Sequence, residues 1–181
     1  WRLTQTVADA DHGRALDAQG LRLQVHLALD TGMHRLGIPV GDRAAIAAMY
    51  RLPYLWITGT FSHLCVADSL TAADTAYTQR QLAAFYETVA WMRAAGYDPG
   101  AIHVQASYGI WNLPPQPCAY ARAGIALYGV RSGEAPVQRA LDLRPVLSLR
   151  ARVASVRRLE PGEAAGYDLA FHADRETRLA V

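Results

Sequence analysis

The chain has 181 residues, of which 51% are hydrophobic and 19% charged, and its formal net charge is +2. This composition is typical of a globular protein and excludes a disordered or collagen-like chain. The basic residues are scattered, which argues against nucleic acid as a partner, and no apolar run reaches the roughly 18 residues of a membrane-spanning helix. Cys65 and Cys118 fit no metal-binding spacing, so we expect reduced thiols in a cytoplasmic protein.

Lysine is missing from the sequence, because all 18 residues of the Lys+Arg total are arginine. Chemistry that needs a lysine amine is therefore beyond this polypeptide alone. The chain also begins with Trp1 and not with methionine. We interpret that beginning as the mark of a trimmed chain or a fragment.

Apolar strand patterns alternate with helical patterns up to about residue 135. Asp42 is expected to cap one helix, and a capping-box pattern at residues 71–74 opens a longer helix that is expected to end at Gly96. Strands are predicted over residues 23–29, 54–61, 102–106 and 123–130. This alternation predicts βα units and a parallel sheet, and both a barrel and an open doubly wound sheet fit it.

The pattern changes near residues 135–142. Residues 144–158 alternate branched apolar residues with arginines, residues 160–163 form a predicted turn, and residues 169–181 are expected to be extended. A complete (β/α)₈ barrel takes about 250 residues, so the chain is too short for one. We expect an incomplete (β/α)₈ barrel over residues 1–138 and the beginning of an antiparallel β domain over residues 139–181.

Polar residues cluster where the predicted strands end. Residues 30–35 follow the first strand, His63 follows the second, Ser107 follows the third, and Arg122 precedes the fourth. In a barrel, the face at the carboxyl ends of the strands carries the catalytic groups. Taken singly, each residue also fits an ordinary role as a turn, a packed histidine, a helix cap or a solvated arginine.

Five segments in this order resemble the alanine racemase family. Residues 30–37 (DTGMHRLG) are similar to the family pattern DTGMxRLG, and residues 62–68 (SHLCVAD) are similar to SHFAxAD. The other three segments are residues 103–107 (HVQAS), 122–129 (RAGIALYG) and 161–167 (PGEAAGY). A finer resemblance, to the serine/alanine racemases of vancomycin-resistance gene clusters, lies in residues 103–109 and 166–171.

The resemblance implies a pyridoxal 5'-phosphate site. It assigns the phosphate contacts to Ser107, Gly124 and Ile125 and the partner of the pyridine nitrogen to Arg122, which His103 would orient. An arginine at that place can only donate hydrogen bonds, so it keeps the ring nitrogen unprotonated. This assignment predicts no metal site.

The resemblance also implies a reaction with two bases and a homodimer. One base is a lysine on a strand that this chain lacks, and the other is Tyr167, which would serve the site of the partner subunit. A tyrosine pKa lies near 10, so the hydrogen bond expected from His63 is needed to make Tyr167 a base. Arg35 corresponds to the arginine near the cofactor and the substrate carboxylate, which a guanidinium binds well.

Two further departures from the family pattern limit the comparison. Ala28 stands where many members have a carbamylated lysine, and Ala106 stands where they have asparagine before the phosphate serine.

We interpret the parent protein as a racemase that interconverts L- and D-alanine or serine for peptidoglycan precursors, and this chain alone as inactive. The alternatives are a non-catalytic barrel that binds pyridoxal phosphate, a related decarboxylase and an inert fragment. A membrane domain would lie outside this chain.

Overall fold

The computed structural model describes residues 3–181 and contains two compact units. The first unit ends at Val146, and the second comprises Leu147–Val181. Residues 1 and 2, which belong to the expected barrel segment, lie outside the described residues. No helix within residues 3–181 has the length and apolar character needed to cross a bilayer.

A parallel sheet forms the centre of the first unit. Its strands are β1 (Gln5–Val7), β2 (Leu23–Asp30), β4 (Leu55–Phe61) and β5 (Ala101–His103), and the short strand β3 (Ile38–Pro39) also pairs with β2. The hydrogen-bonded order is β1-β2-β4-β5. A doubly wound sheet reverses its strand order at a switch point. The order here follows the chain without reversal, as it does in the wall of a barrel.

Three helices connect these strands: α1 (Ala10–Asp17), α2 (Arg43–Met49) and α3 (Ala72–Ala94). A short helix, α4 (Ser107–Asn112), follows β5. As expected, the Asp42 carboxylate caps α2 by accepting from the amide of Ala45 at 2.9 Å. The predicted capping box of α3 forms in part: Thr71 Oγ1 accepts from the amide of Asp74, whereas the Asp74 carboxylate accepts from the hydroxyls of Thr71 and Ser69.

The hydrophobic core lies between the helices and one face of the sheet. Val25, Leu27 and Leu29 of β2 are buried in it together with Phe85 and Met92 of α3. Because side chains alternate across a strand, the intervening residues of β2 face the other side of the sheet. Those residues are Gln24, His26, Ala28 and Asp30. This second face of the sheet carries the polar groups described below.

One strand prediction in the first unit is wrong, because the segment predicted as a strand over residues 123–130 forms a 3₁₀ helix, Ile125–Tyr128. The strand predicted over residues 102–106 forms, but it covers Ala101–His103. A single parallel bridge joins Ala106 and Arg122. Beyond it the backbone turns, because the amides of Gly124 and Ala126 both donate to the Ser107 hydroxyl.

The second unit contains short antiparallel strand pairs. β6 (Val156–Leu159) pairs with β9 (Thr177–Ala180), and β7 (Ala164–Ala165) pairs with β8 (Phe171–His172). The predicted turn at residues 160–163 forms. The segment predicted to be extended over residues 169–181 is strand only in β8 and β9, and residues 144–155 form no strand.

Candidate functional site

The carboxyl ends of β2, β4 and β5 meet at one edge of the sheet, because parallel strands run in the same direction. The segments that follow these strands bring four of the predicted site residues to this edge. They are Arg35 after β2, His63 after β4, and Ser107 and Arg122 after β5. The sequence prediction that these groups share one face of the sheet agrees with the geometry.

Arg122 is the centre of the hydrogen bonding at this edge. Its Nη1 donates to His103 Nδ1 and to the His103 carbonyl, the latter at 3.1 Å. Its Nη2 donates to the Ser62 carbonyl at 2.8 Å and to His63 Nδ1 at 3.2 Å. The guanidinium carbon also lies 5.0 Å from the centre of the Phe61 ring. Nη2 also lies 3.5 Å from the Val104 carbonyl. Arg122 is therefore fixed by two histidines, three carbonyls and an aromatic face.

The arginine determines which ring nitrogens of these histidines carry hydrogen. A guanidinium has donors and no acceptor, so Nδ1 of both His103 and His63 must accept. Burial lowers the pKa of His103 to about 3, with a further contribution from Arg122. Burial also lowers the pKa of His63, and the charges of Arg122 and Arg35 act in the same direction. Both rings are therefore neutral near pH 7, with their hydrogen on Nε2.

Ser107 lines a second part of the site, an open cleft of about 340 Å³ whose lining also includes His63, Gly124 and Ile125. Ser107 Oγ accepts from the amides of Gly124 at 2.8 Å and Ala126 at 3.2 Å. A hydroxyl and converging amides are groups that bind a phosphate. A Cβ at Gly124 would lie 3.6 Å from Ser107 Oγ, so glycine keeps that side of the hydroxyl open. The donor set fits a phosphorylated ligand.

The loop after β2 is ordered by Asp30. Its carboxylate accepts from the amides of Gly32 and His34 and pairs with His34 Nδ1 at 2.9 Å. Burial alone would raise the pKa of Asp30, but these hydrogen bonds and the charge of His34 lower it overall. The loop ends in Arg35, an exposed side chain that lines a small cavity of about 50 Å³ together with Ala28 and His63.

Sequence reasoning missed Gln81, which joins the loops after β2 and β4. Its side chain is only 1% exposed. The amide nitrogen donates to Thr31 Oγ1 and to the His63 carbonyl, each at 3.2 Å, and the amide oxygen accepts from the amide of Cys65 at 3.1 Å. The signal was available, because Gln81 is a polar residue beside Leu82 on the buried face of α3.

His26 was also missed. It lies on the polar face of β2, and its Nδ1 is 2.9 Å from His103 Nε2. Its alternation with the buried residues Val25 and Leu27 marks it as a residue of the opposite face. That pattern alone does not reveal its partner.

Tyr167, the predicted second base, lies in the second unit with its side chain 97% exposed. It belongs to a 3₁₀ turn, Tyr167–Leu169. The residues of the first unit come together without it. Cys65 and Cys118 are free thiols, and residues 3–181 contain no group of three or more His, Cys, Asp or Glu side chains that could hold a metal ion.

This parallel α/β segment holds an arginine between two histidines, beside hydroxyl and amide groups of a kind that can bind an anion. The sequence profile described as "Alanine racemase, N-terminal domain" matches residues 1–132. The chain therefore belongs to the alanine racemase family, whose members depend on pyridoxal phosphate.

Individual relatives agree with this family. The chain is 36% identical over 182 residues to an amino-acid racemase of Enterococcus faecalis and 37% identical over 183 residues to a serine/alanine racemase of Enterococcus gallinarum; each match covers 100% of the chain and 26% of the relative. An alanine racemase of Desulfovibrio desulfuricans is 35% identical, with 99% and 48% covered. The chain thus spans between a quarter and a half of these curated relatives.

Solved structures of the family have the same fold. The biosynthetic alanine racemase of Pseudomonas aeruginosa superimposes with a TM-score of 0.77 at 30% identity, over 99% of this chain and 48% of that structure. An alanine racemase of Streptomyces coelicolor gives a TM-score of 0.76 at 29% identity, over 99% and 49%. These similarities establish the chain as an α/β-barrel fragment of the family.

Proposed function

We propose that the protein containing this chain is a pyridoxal-phosphate-dependent racemase that interconverts the L and D forms of alanine or serine. Residues 1–138 would form part of an incomplete (β/α)₈ barrel that binds the cofactor, and residues 139–181 would begin an antiparallel β domain. The observation that carries the proposal is Arg122, a half-buried cation held by His103 and His63 at the edge of the sheet where the strands end.

Pyridoxal phosphate, when bound, supplies an electron-withdrawing system that makes the α-hydrogen of an amino acid acidic enough to remove. Arg122 would be the partner of the pyridine nitrogen. Burial lowers the pKa of Arg122, but an arginine remains protonated at neutral pH. It can donate a hydrogen bond without giving up its proton, so it holds the ring nitrogen and limits how strongly the ring withdraws electrons.

Ser107, Gly124 and Ile125 would hold the phosphate. The hydroxyl of Ser107 now accepts from the amides of Gly124 and Ala126, and its own hydrogen is free to be donated to a phosphate oxygen. Ser107, Gly124 and Ile125 line the same cleft as His63. Arg35 would bind the substrate carboxylate, because it lines the neighbouring cavity with His63.

Tyr167 would be one of the two bases and would act in the site of the partner subunit of a homodimer. The geometry around His63 supports this role indirectly. Since His63 Nδ1 accepts from Arg122, the opposite nitrogen carries the hydrogen and can donate it to a phenolate oxygen. Such a bond, together with the nearby arginine charge, favours the ionised form of a tyrosine.

The second base would be a lysine, and this chain has none. We therefore propose that the isolated polypeptide does not racemise amino acids. The same observation supports the alternative of a non-catalytic barrel that binds pyridoxal phosphate, because the phosphate and ring contacts need no lysine.

The test is exchange of the α-hydrogen in heavy water, followed by proton NMR on the full-length protein. L-Alanine and L-serine should lose their α-hydrogen signals in the presence of pyridoxal phosphate, and a polypeptide of residues 1–181 should leave them unchanged. Tyr167→Phe should slow exchange by roughly 10²-fold or more, because a proton-transfer group is lost. Tyr54→Phe is the matched control, since Tyr54 is also an exposed tyrosine.

The two candidate functions give different results. A full-length protein that binds pyridoxal phosphate, seen from its visible absorbance, but exchanges neither amino acid would establish the non-catalytic alternative. Full activity of Tyr167→Phe would exclude Tyr167 as a base. Exchange of alanine but not serine, or the reverse, would define the substrate.

A further inference from the structure

The His103 ring is held at both of its nitrogens. Nδ1 accepts from Arg122, and Nε2 lies 2.9 Å from His26 Nδ1. The His103 ring also stacks against Phe61, with centroids 4.9 Å apart and planes at 7°, and against Tyr120, with centroids 4.6 Å apart and planes at 25°. His103 is also buried, with 4% of its surface exposed.

The hydrogen bonds between these residues have a fixed direction. Arg122 can only donate, so Nδ1 of His103 carries no hydrogen. A neutral imidazole has a single N–H, which must then be on Nε2, facing His26. Nδ1 of His26 therefore accepts. The donors run from Arg122 through His103 to His26 Nδ1, which the hydroxyl of Tyr120 also contacts at 3.3 Å.

Gly59 provides the space that His26 needs. In the sheet, Gly59 of β4 pairs with His26 of β2, at the point where the register shifts. A Cβ at Gly59 would lie only 2.5 Å from His26 Nε2 and 2.6 Å from Cδ2. The requirement is steric, because Gly59 is not one of the glycines with positive φ. The imidazole of His26 therefore rests directly on the backbone of the neighbouring strand.

We propose that His26 is a positioning residue of this site, which acts together with Arg122 to hold His103 in the Nε2–H tautomer and so keeps the guanidinium of Arg122 in place. Without the acceptor on His26, the Nε2–H of His103 has no partner, and only the hydrogen bond from Arg122 still opposes a shift of the hydrogen to Nδ1. That hydrogen would face a donor of Arg122, and the guanidinium would have to turn away. The effect on cofactor binding rests on the function proposed above, whereas the tautomer of His103 is a property of the cofactor-free protein.

Four variants of the full-length protein test the proposal. His26→Leu removes the acceptor, and Gly59→Ala displaces the ring that carries it. His26→Asn keeps an acceptor, because an amide oxygen can occupy the place of Nδ1. His172→Leu is the control, since His172 is an exposed histidine of the second unit. The readout is the ring ¹⁵N spectrum of His103 in cofactor-free protein, with pyridoxal phosphate affinity as the second measurement.

The unmodified protein, His26→Asn and His172→Leu should each show one neutral His103 tautomer with hydrogen on Nε2. His26→Leu and Gly59→Ala should show a mixture and should bind pyridoxal phosphate roughly ten-fold more weakly, the scale found for residues that orient a ligand's direct partners. A single Nε2–H tautomer in both His26→Leu and Gly59→Ala overturns the proposal. Shifted tautomers in a protein that binds no pyridoxal phosphate would leave the role of His26 intact and refute the proposed cofactor instead.

Discussion

Replacing Gln81 by methionine should destabilise the barrel segment without changing its shape. Methionine has nearly the same length and is tolerated in cores, but it has no amide. The change leaves the amide of Cys65 and the carbonyl of His63 without their partner. An unsatisfied buried group costs about 1–3 kcal/mol. Because both groups are only half-buried, we expect a loss of about 2–4 kcal/mol in total.

The assay is urea unfolding of the full-length protein, followed by the fluorescence of its tryptophans, which include the buried Trp111. Gln79→Met is the matched control, because Gln79 lies on the exposed face of the same helix. Its free energy of unfolding should change by less than about 0.5 kcal/mol. If the two variants unfold at the same urea concentration, the Gln81 amide does not hold the loops together and the reasoning is wrong.

Two further predictions concern stability. Gly100→Ala should lower the free energy of unfolding by about 2 kcal/mol, because Gly100 has φ +61° and a Cβ there would lie 2.3 Å from the Thr58 carbonyl. Gly41→Ala is the control in thermal unfolding, and its stability should be nearly unchanged because there is open space at the Cβ. His103 stays neutral when folded, with a pKa of about 3, whereas the unfolded chain binds its proton below about pH 6.5. Stability should therefore fall from about pH 6.5 towards pH 3, by up to about 1.4 kcal/mol per pH unit. Urea midpoints that are equal at pH 7 and pH 5 would contradict this.

The sequence was sufficient where a local pattern determines the structure. β2 and α3 were predicted near their observed positions because their apolar periodicity fits one buried face. β4 was predicted near its observed position from its content of β-forming and aromatic residues. The prediction of a strand over residues 123–130 was wrong for a reason that no local pattern contains. The backbone there is turned by the hydroxyl of Ser107, a contact between residues distant in sequence.

The same distinction between local patterns and long-range contacts applies to the candidate site. The ends of the predicted strands indicated that His63, Ser107 and Arg122 would share one edge of the sheet, and they do so. The apolar patterns around Gln81 and His26 indicate which face each residue occupies. Their hydrogen-bond partners could not be assigned from the sequence, because those partners are defined by packing between elements. The roles given to Tyr167 and Arg35 remain predictions, since they depend on a substrate and a partner subunit.

The order β1-β2-β4-β5 also bears on how the protein is made. Apart from the short strand β3, which pairs with β2, each strand of this sheet pairs with the strand of the order β1-β2-β4-β5 synthesised before it, and a helix is translated between the two. On the ribosome, where the amino-terminal part emerges first, every new strand would find its neighbour already present. The sheet can therefore grow in one direction during translation, and no strand has to wait for a later segment or be inserted between two strands that have already paired.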